Sequence, residues 1–242
     1  MNKYKNITFI RDIYERENNS TEFFNLVLFD LDGTIIDSGR GIMNTLEYVF
    51  ETMQRQCPDR DTLRKFIGPP LVWSFKNLCG FDDEATREGV AIYREHYPKG
   101  EMYNNDVYDG VKELIKFIKE QGAVLEVATS KPEPFAKKII EHIGLTEYFD
   151  AVIGSGMDNT RSTKSEVVAY ALKTGKDILK NDTTIVNPLM IGDRHHDIDG
   201  AHENNIKCAA VLSGYGNTQE FEKAGADYIL SDMRDKRWFA GV

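Results

Sequence analysis

The sequence predicts an α/β fold, in which helices cover a parallel sheet and a small all-helical segment is inserted after the first strand. Two observations support this prediction. From residue 107 onwards, short apolar runs alternate with amphipathic helical patterns, which is typical of a parallel sheet with helices on both faces. Between residues 41 and 105 the pattern is helical and contains no convincing strand. The 242 residues have room for such a domain and a smaller insert.

The chain begins with a polar segment to which we assign no role. Residues 1–22 are charged and lack the apolar stretch of a signal peptide, so we expect an N-terminal extension that forms a short helix or remains loose. The apolar run over residues 23–29 predicts the first strand, at about residues 24–30. Gly33 and Thr34 then allow the backbone to turn tightly away from the sheet.

The helical segment opens with apolar side chains at helical spacing, namely Ile42, Met43, Leu46, Val49, Phe50 and Met53. Gly68-Pro69-Pro70 interrupts the pattern, and two further helices are expected at about residues 71–80 and 83–96. We therefore divide the chain into an N-terminal extension, an α/β core and a helical cap. The extension is 1–22, the core 23–40 with 106–242, and the cap 41–105.

The rest of the core alternates between the two kinds of pattern. Helices are expected at about residues 111–121, from Pro132 or Pro134 to 143, and at 167–172, where apolar side chains recur every three or four residues. Strands are expected at residues 124–129, 151–154, 189–193 and 208–212, with a last edge strand at 227–230. In a parallel sheet, ligands bind beyond the carboxyl ends of the strands, so the polar residues at those ends are the candidate site.

Composition excludes several classes of function. The net charge of −9 argues against a broad nucleic-acid surface. The three cysteines are scattered, which favours neither a zinc site nor a disulfide framework and suits a reducing compartment. No run of about 18 apolar residues occurs. We therefore expect a cytoplasmic protein with no nucleic-acid polymer and no membrane among its partners. Its oligomeric state stays open between monomer and homodimer.

Two carboxylates, Asp30 and Asp32, end the first strand. Unpaired carboxylates at the end of a buried strand are costly and repel each other, and a bridging cation would remove both problems. An ordinary polar turn explains the pair about equally well when it is considered alone.

Other strand ends carry complementary groups. Thr129 and Ser130 follow one strand and Asp193 follows another, while Lys164 opens a helix, where its charge opposes the helix dipole. Three carboxylates that converge on one point would suit a hard cation such as Mg²⁺, and a hydroxyl beside a helix N-terminus suits an anion. Singly, Asp193 or Asp197 also fits a helix N-cap, and Thr129 with Ser130 an ordinary cap.

Taken together, these residues resemble the four motifs of the haloacid dehalogenase (HAD) superfamily of phosphohydrolases. The motifs are, in order, Asp30-Leu31-Asp32-Gly33-Thr34, Thr129 within Val127-Ala128-Thr129-Ser130-Lys131-Pro132, Lys164, and Gly192-Asp193-Arg194-His195-His196-Asp197. The resemblance covers about residues 24–230. The helical insert is similar to the cap of the subfamily that contains phosphoglycolate phosphatases. A Rossmann-like core with a helical cap is the fold this implies.

The resemblance also implies a function for each motif. Asp30 would attack phosphorus and become an aspartyl-phosphate, and Asp32 would protonate the leaving oxygen and then activate water. Asp193 would bind Mg²⁺ with the Asp30 carboxylate and the Asp32 backbone carbonyl. Asp197 would not bind the metal directly and would fix water molecules or Lys164 in place.

The remaining implied roles concern the substrate. Thr129, Ser130 and Lys164 would bind the phosphoryl oxygens of a small phosphorylated metabolite, as in phosphoglycolate phosphatases or 5′-nucleotidases. Candidate specificity residues are Arg40, Asn44 and Lys131. Two alternatives stay open, a phosphosugar mutase of the same superfamily and a non-catalytic binding protein that kept the fold. Carbon–halogen cleavage is disfavoured because the dehalogenase branch of the superfamily does not need Mg²⁺, for which Asp32 and Asp193 would supply ligands here.

Overall fold

The computed structural model describes residues 8–9, 24–158, 160–179 and 186–235. The strands are β1 (Thr8–Phe9), β2 (Leu26–Phe29), β3 (Ile36–Asp37), β4 (Asp106–Val107), β5 (Val124–Pro132), β6 (Ala151–Ser155), β7 (Pro188–Gly192), β8 (Lys207–Val211) and β9 (Tyr228–Leu230). The α-helices are α1 (Gly39–Thr52), α2 (Arg60–Arg64), α3 (Leu71–Cys79), α4 (Asp83–His96), α5 (Val111–Glu120), α6 (Glu133–His142), α7 (Lys164–Leu179), α8 (His195–Glu203) and α9 (Thr218–Ala224). Short 3-10 helices cover Tyr97–Lys99, Glu101–Tyr103 and Thr146–Tyr148.

Seven strands form one parallel sheet in the order β1-β9-β8-β7-β2-β5-β6. The predicted α/β class is therefore confirmed. Strand β9 is not the edge strand that the sequence predicts, because β1 pairs with it on the outside. The pairing of Thr8 with Tyr228 joins part of the N-terminal extension to the sheet. The rest of residues 1–22 lies outside the described residues.

Strand β2 lies inside the sheet between β7 and β5, and its alternate side chains supply two apolar cores. Val27 and Phe29 belong to a core with the helical segment, α5 and α6, whereas Leu26 and Leu28 belong to a core with α7, α8 and α9. All four side chains are fully buried, as expected for a strand covered on both faces. This burial fixes the register of β2 and hence the position of the carboxylates that follow it.

Between β3 and β4 the described chain is helical, as predicted from the spacing of its apolar residues. Helix α1 buries Ile42, Leu46 and Phe50 against α3 and α4, and Phe75 of α3 lies against Phe50 and Phe81. The antiparallel pair β3–β4 brings the start and the end of this segment together. Its status as a separate cap domain, with boundaries at 41 and 105, stays a prediction. Among the described residues, no helix has the length and apolar character needed to cross a membrane.

Candidate active site

The adjacent strands β2 and β7 bring Asp30 and Asp193 to the same edge of the sheet. Phe29, the last residue of β2, is in register with Ile191 of β7, and the Asp30 amide donates to the Ile191 carbonyl over 2.9 Å. The sequence places these two carboxylates more than 160 positions apart. Their meeting follows from parallel pairing, because neighbouring strands end on the same side.

The Asp193 carboxylate is held from two directions. The Thr34 hydroxyl donates to one oxygen over 3.1 Å, and the Tyr215 amide donates to the other over 2.8 Å. Gly33 and Gly214 pack so closely around it that a Cβ on Gly33 would lie 2.2 Å from an Asp193 oxygen. Gly33 also has φ +86°, which favours glycine. The turn after β2 therefore needs glycine on both conformational and steric grounds.

Asp197 lies in the first turn of α8, where its carboxylate accepts from the amides of Asp193 and Arg194 over 3.1 and 3.0 Å. The N-cap of α8 is Arg194. The alternative that Asp193 or Asp197 serves as the N-cap is therefore wrong, since Asp197 is the third residue inside the helix. From this position its carboxylate binds back to the loop and also reaches Lys164.

Lys164, the first residue of α7, is buried between two carboxylates. Its Nζ lies 2.8 Å from Asp30 Oδ1 and 2.7 Å from Asp197 Oδ1, and it donates to the Ala128 carbonyl over 3.1 Å. Burial by itself would lower the pKa of this ammonium, but the charges of Asp197 and Asp30 outweigh burial and raise it. Lys164 is therefore a permanent cation in the centre of the site.

Three buried carboxylates lie close together at this point, and Lys164 contacts two of them, Asp30 and Asp197. Asp30, Asp193 and Asp197 each offer an oxygen, and these oxygens lie within 4.8 Å of one another. Burial raises the pKa of Asp30 to about 6 against the opposing effect of Lys164. Burial, with the charges of Asp197 and Asp30, raises the pKa of Asp193 well above its usual range. Lys164 alone therefore does not compensate the charge of three ionised carboxylates in this buried place, and their oxygen ligands fit a hard divalent cation.

The side chain of Asp32 points to a different partner from that of Asp30. Both of its carboxylate oxygens lie 2.8 Å from Lys131 Nζ, and Asp32 lines a cavity of about 110 Å³ between the helical segment and the sheet. The structure thus groups the Asp197 carboxylate, rather than that of Asp32, with those of Asp30 and Asp193, and we call these three the acidic group. The implied contact of a metal with the Asp32 backbone carbonyl stays a prediction.

The remaining predicted residues divide into those near the cavity and those away from it. Thr129 is buried and its hydroxyl accepts from the Lys131 amide over 3.2 Å, while Ser130 lines the cavity. Arg40 is not part of the cavity lining and pairs with Asp106 at the β3–β4 ribbon. Asn44, also outside the lining, donates to Glu101 over 3.1 Å.

Sequence reasoning overlooked three residues at the site. Gly214 and Tyr215 follow β8 and contact Asp193, and their place after a parallel strand is the signal that could have revealed them. Tyr97 lies over Lys131, with its ring centroid 4.9 Å from Nζ. No motif indicates Tyr97, because the contact joins the helical segment to the core through tertiary packing alone.

Comparisons with known proteins agree with this arrangement. The model of the haloacid dehalogenase-like hydrolase family matches residues 27–211. A 5′-nucleotidase of Pseudomonas aeruginosa is 36% identical over 207 residues, which is 86% of this chain and 91% of that protein. The pyrophosphatase PpaX of Halalkalibacterium halodurans is 34% identical over 221 residues, 90% of this chain and 97% of that protein.

A solved structure supports the same assignment. The crystal structure of a predicted phosphatase from Clostridium acetobutylicum has 41% sequence identity and a TM-score of 0.79, and the match covers 87% of this chain and 95% of that one. The chain belongs to the haloacid dehalogenase-like hydrolases, as its four motifs predict.

Proposed function

We propose that this protein is a Mg²⁺-dependent phosphatase that hydrolyses small phosphate monoesters through an aspartyl-phosphate on Asp30. The observation that carries the proposal is the convergence of Asp30, Asp193 and Asp197 in one buried site, where Lys164 contacts the first and the last of them. The membership of the hydrolase family and the phosphatase names of its relatives support the reaction class. The metal, the intermediate and the role of each residue are parts of the proposal.

The residues divide the first half of the reaction between them. An Asp30 oxygen attacks phosphorus, and the bond from phosphorus to the ester oxygen breaks as the new bond forms. Asp32 gives a proton to the departing oxygen, so that the leaving group departs as an alcohol. Lys164 and Thr129 hold the phosphoryl oxygens. Mg²⁺ bound by Asp30 and Asp193 would reduce the repulsion between the anionic nucleophile and the anionic phosphate.

The second half regenerates the nucleophile. The Asp32 carboxylate takes a proton from a water whose oxygen attacks phosphorus, and the bond between phosphorus and Asp30 breaks to release inorganic phosphate. Because Asp32 lines the cavity and Asp30 does not, the alcohol and then the water would approach from the cavity side. The apolar walls of the helical segment would exclude bulk water during the transfer.

The first experiment measures p-nitrophenyl phosphate hydrolysis with Mg²⁺ and with excess EDTA. We expect turnover that EDTA abolishes, and no detectable turnover in Asp30→Asn at unchanged melting temperature. Asp61→Asn, an exposed carboxylate of α2, is the matched control and should behave like the wild type. Metal-independent turnover, or full activity in Asp30→Asn, would contradict the proposal. The absence of all turnover would favour a non-catalytic binding protein.

The proposed substrates are small phosphorylated metabolites. The names of the relatives suggest nucleoside monophosphates and inorganic pyrophosphate, and the sequence resemblance adds phosphoglycolate. A panel of phosphorylated compounds ranked by kcat/KM would identify the preferred one. Release of free phosphate distinguishes a phosphatase from a mutase, which would return an isomerised sugar phosphate. A cytoplasmic location and a monomeric or homodimeric state complete the proposal.

A further inference from the structure

Two buried lysines lie at the site, and they bind different carboxylates. Lys164 contacts Asp30 and Asp197, whereas the Lys131 ammonium lies 2.8 Å from both oxygens of Asp32. The side chains of Lys131 and Asp32 are only 5% and 11% exposed. An ammonium has three N–H donors, and this contact with Asp32 occupies up to two of them. Lys131 therefore has little capacity left to bind a phosphoryl group.

An aromatic ring holds the same ammonium from another side. The ring centroid of Tyr97 is 4.9 Å from Lys131 Nζ, within the range of a cation–π interaction. Tyr97 is itself fixed, because it is almost fully buried and lies against the rings of Tyr93 and Phe135 at centroid distances of 5.2 and 6.0 Å. The Lys131 side chain is thus restrained by a carboxylate of the core and by a ring of the helical segment.

The contact between Lys131 and Asp32 lies at the wall of the cavity. Asp32, Lys131 and Tyr97 all line it, and among the described lining residues Asp32 is the only carboxylate. The members of the acidic group, Asp30, Asp193 and Asp197, are absent from that lining. A leaving group in the cavity would therefore meet Asp32 on one side of the phosphoryl group, with Asp30 on the other.

We propose that Lys131 is a positioning residue that, held under Tyr97, fixes the Asp32 side chain toward the leaving-group oxygen. This inference rests on the proposed phosphatase function and deepens it. A positioning role for Lys131 makes the loss of activity depend on the leaving group, whereas a role in substrate binding or in folding does not. Proton donation matters most for an alkyl leaving group and least for p-nitrophenolate, which leaves readily without a proton. The factor by which kcat/KM falls when Lys131 is replaced should therefore depend on the leaving group.

The test compares Lys131→Met and Lys131→Arg with the wild type on p-nitrophenyl phosphate and on glycerol phosphate. The measured quantity is kcat/KM, which reports the steps up to departure of the leaving group. We expect Lys131→Met to lower kcat/KM for glycerol phosphate at least about 10-fold more than for p-nitrophenyl phosphate, a partial loss of the roughly 10²–10⁴-fold that general acid–base catalysis usually contributes. Lys131→Arg keeps the charge and should recover part of the difference.

Three comparisons decide the outcome. Equal losses on both substrates, or no loss on either, would overturn the positioning role. In an Asp32→Asn background, Lys131→Met should cost less than about 2-fold further, because two residues that act through one group are not additive. A wild type without Mg²⁺-dependent turnover refutes the proposed function itself, and normal turnover with equal losses refutes only this inference.

Variants of Tyr97 provide a second route if Lys131→Met folds poorly. Tyr97→Phe keeps the ring and should preserve the wild-type ratio of the two kcat/KM values. Tyr97→Leu removes the ring face and should shift the ratio in the same direction as Lys131→Met, by a smaller factor. Melting temperatures of all variants separate this effect from loss of folding, since unfolding lowers both activities together. An unchanged ratio in Tyr97→Leu would contradict the proposed contribution of the ring.

Discussion

Glu126 is a carboxylic acid buried in the seven-stranded sheet without a hydrogen-bond partner in the part of the chain that the structure describes, and it makes the stability of this protein depend on pH. It lies on β5 and is fully buried, between Val124 and Ala128, which face the core that contains α7. Both of its carboxylate oxygens lack a hydrogen-bond partner among the described residues. Burial, with a smaller contribution from the charge of Asp150, raises the pKa of Glu126 to about 8.

The magnitude follows from linkage between protonation and folding. The ordinary pKa of a glutamate is 4.5, so between pH 4.5 and about 8 the unfolded chain has lost this proton and the folded protein keeps it. Deprotonation therefore favours the unfolded chain, and the free energy of unfolding falls by about 1.4 kcal/mol per pH unit as pH rises. The fall ends near pH 8, after a loss of about 5 kcal/mol.

The variant Glu126→Gln measures this effect, because its amide has a similar shape and does not titrate. Urea unfolding of both proteins at several pH values from about 5 to 9 gives the free energy of unfolding of each. We expect the difference between variant and wild type to grow by about 1.4 kcal/mol per pH unit up to about pH 8 and then to level off. Contributions from the other titrating groups are the same in both proteins and cancel.

An exposed glutamate provides the control for this experiment. Glu113→Gln, at an exposed position of α5, should show a difference that does not grow over the same range. If the difference between Glu126→Gln and the wild type is constant with pH, Glu126 is not held protonated in the folded protein. The explanation based on a buried, unpartnered acid is then wrong.

The remaining predictions concern the site. Gly214→Ala should lower both activity and melting temperature, because its Cβ would lie 2.4 Å from the Cβ of Asp193. Gly100→Ala is the control and should change neither, because no described atom apart from its chain neighbours would lie within 4 Å of its Cβ. Lys164→Ala should reduce p-nitrophenyl phosphate turnover far more than Lys131→Ala does, and equal losses in steady-state kinetics would count against the central role of Lys164. Mg²⁺ should raise the melting temperature of the wild type and much less that of Asp193→Asn, since a bound cation stabilises only the folded state; equal shifts in both proteins would place the cation elsewhere.

The pattern of apolar and polar residues along the sequence predicts much of the fold. The alternation of apolar runs and helical patterns predicts a parallel sheet, because each pattern records which faces of an element are buried. The rule that parallel strands end at one edge predicts that Asp30 and Asp193 meet, as they do. The pairing of β1 with β9 was not predictable, since a two-residue strand has no periodicity to read.

The partners of the charged side chains were decided by tertiary structure. Sequence spacing places Asp30 and Asp32 together after one strand, yet the first faces Lys164 and the second faces Lys131. Neither contact is encoded locally, because each joins residues about one hundred or more positions apart. The sequence by itself therefore determined which chemical groups reach the edge of the sheet, through burial patterns that are local. Only the packing of the helical segment and α7 against that edge determined which cation each carboxylate contacts, because such contacts depend on the distances between elements.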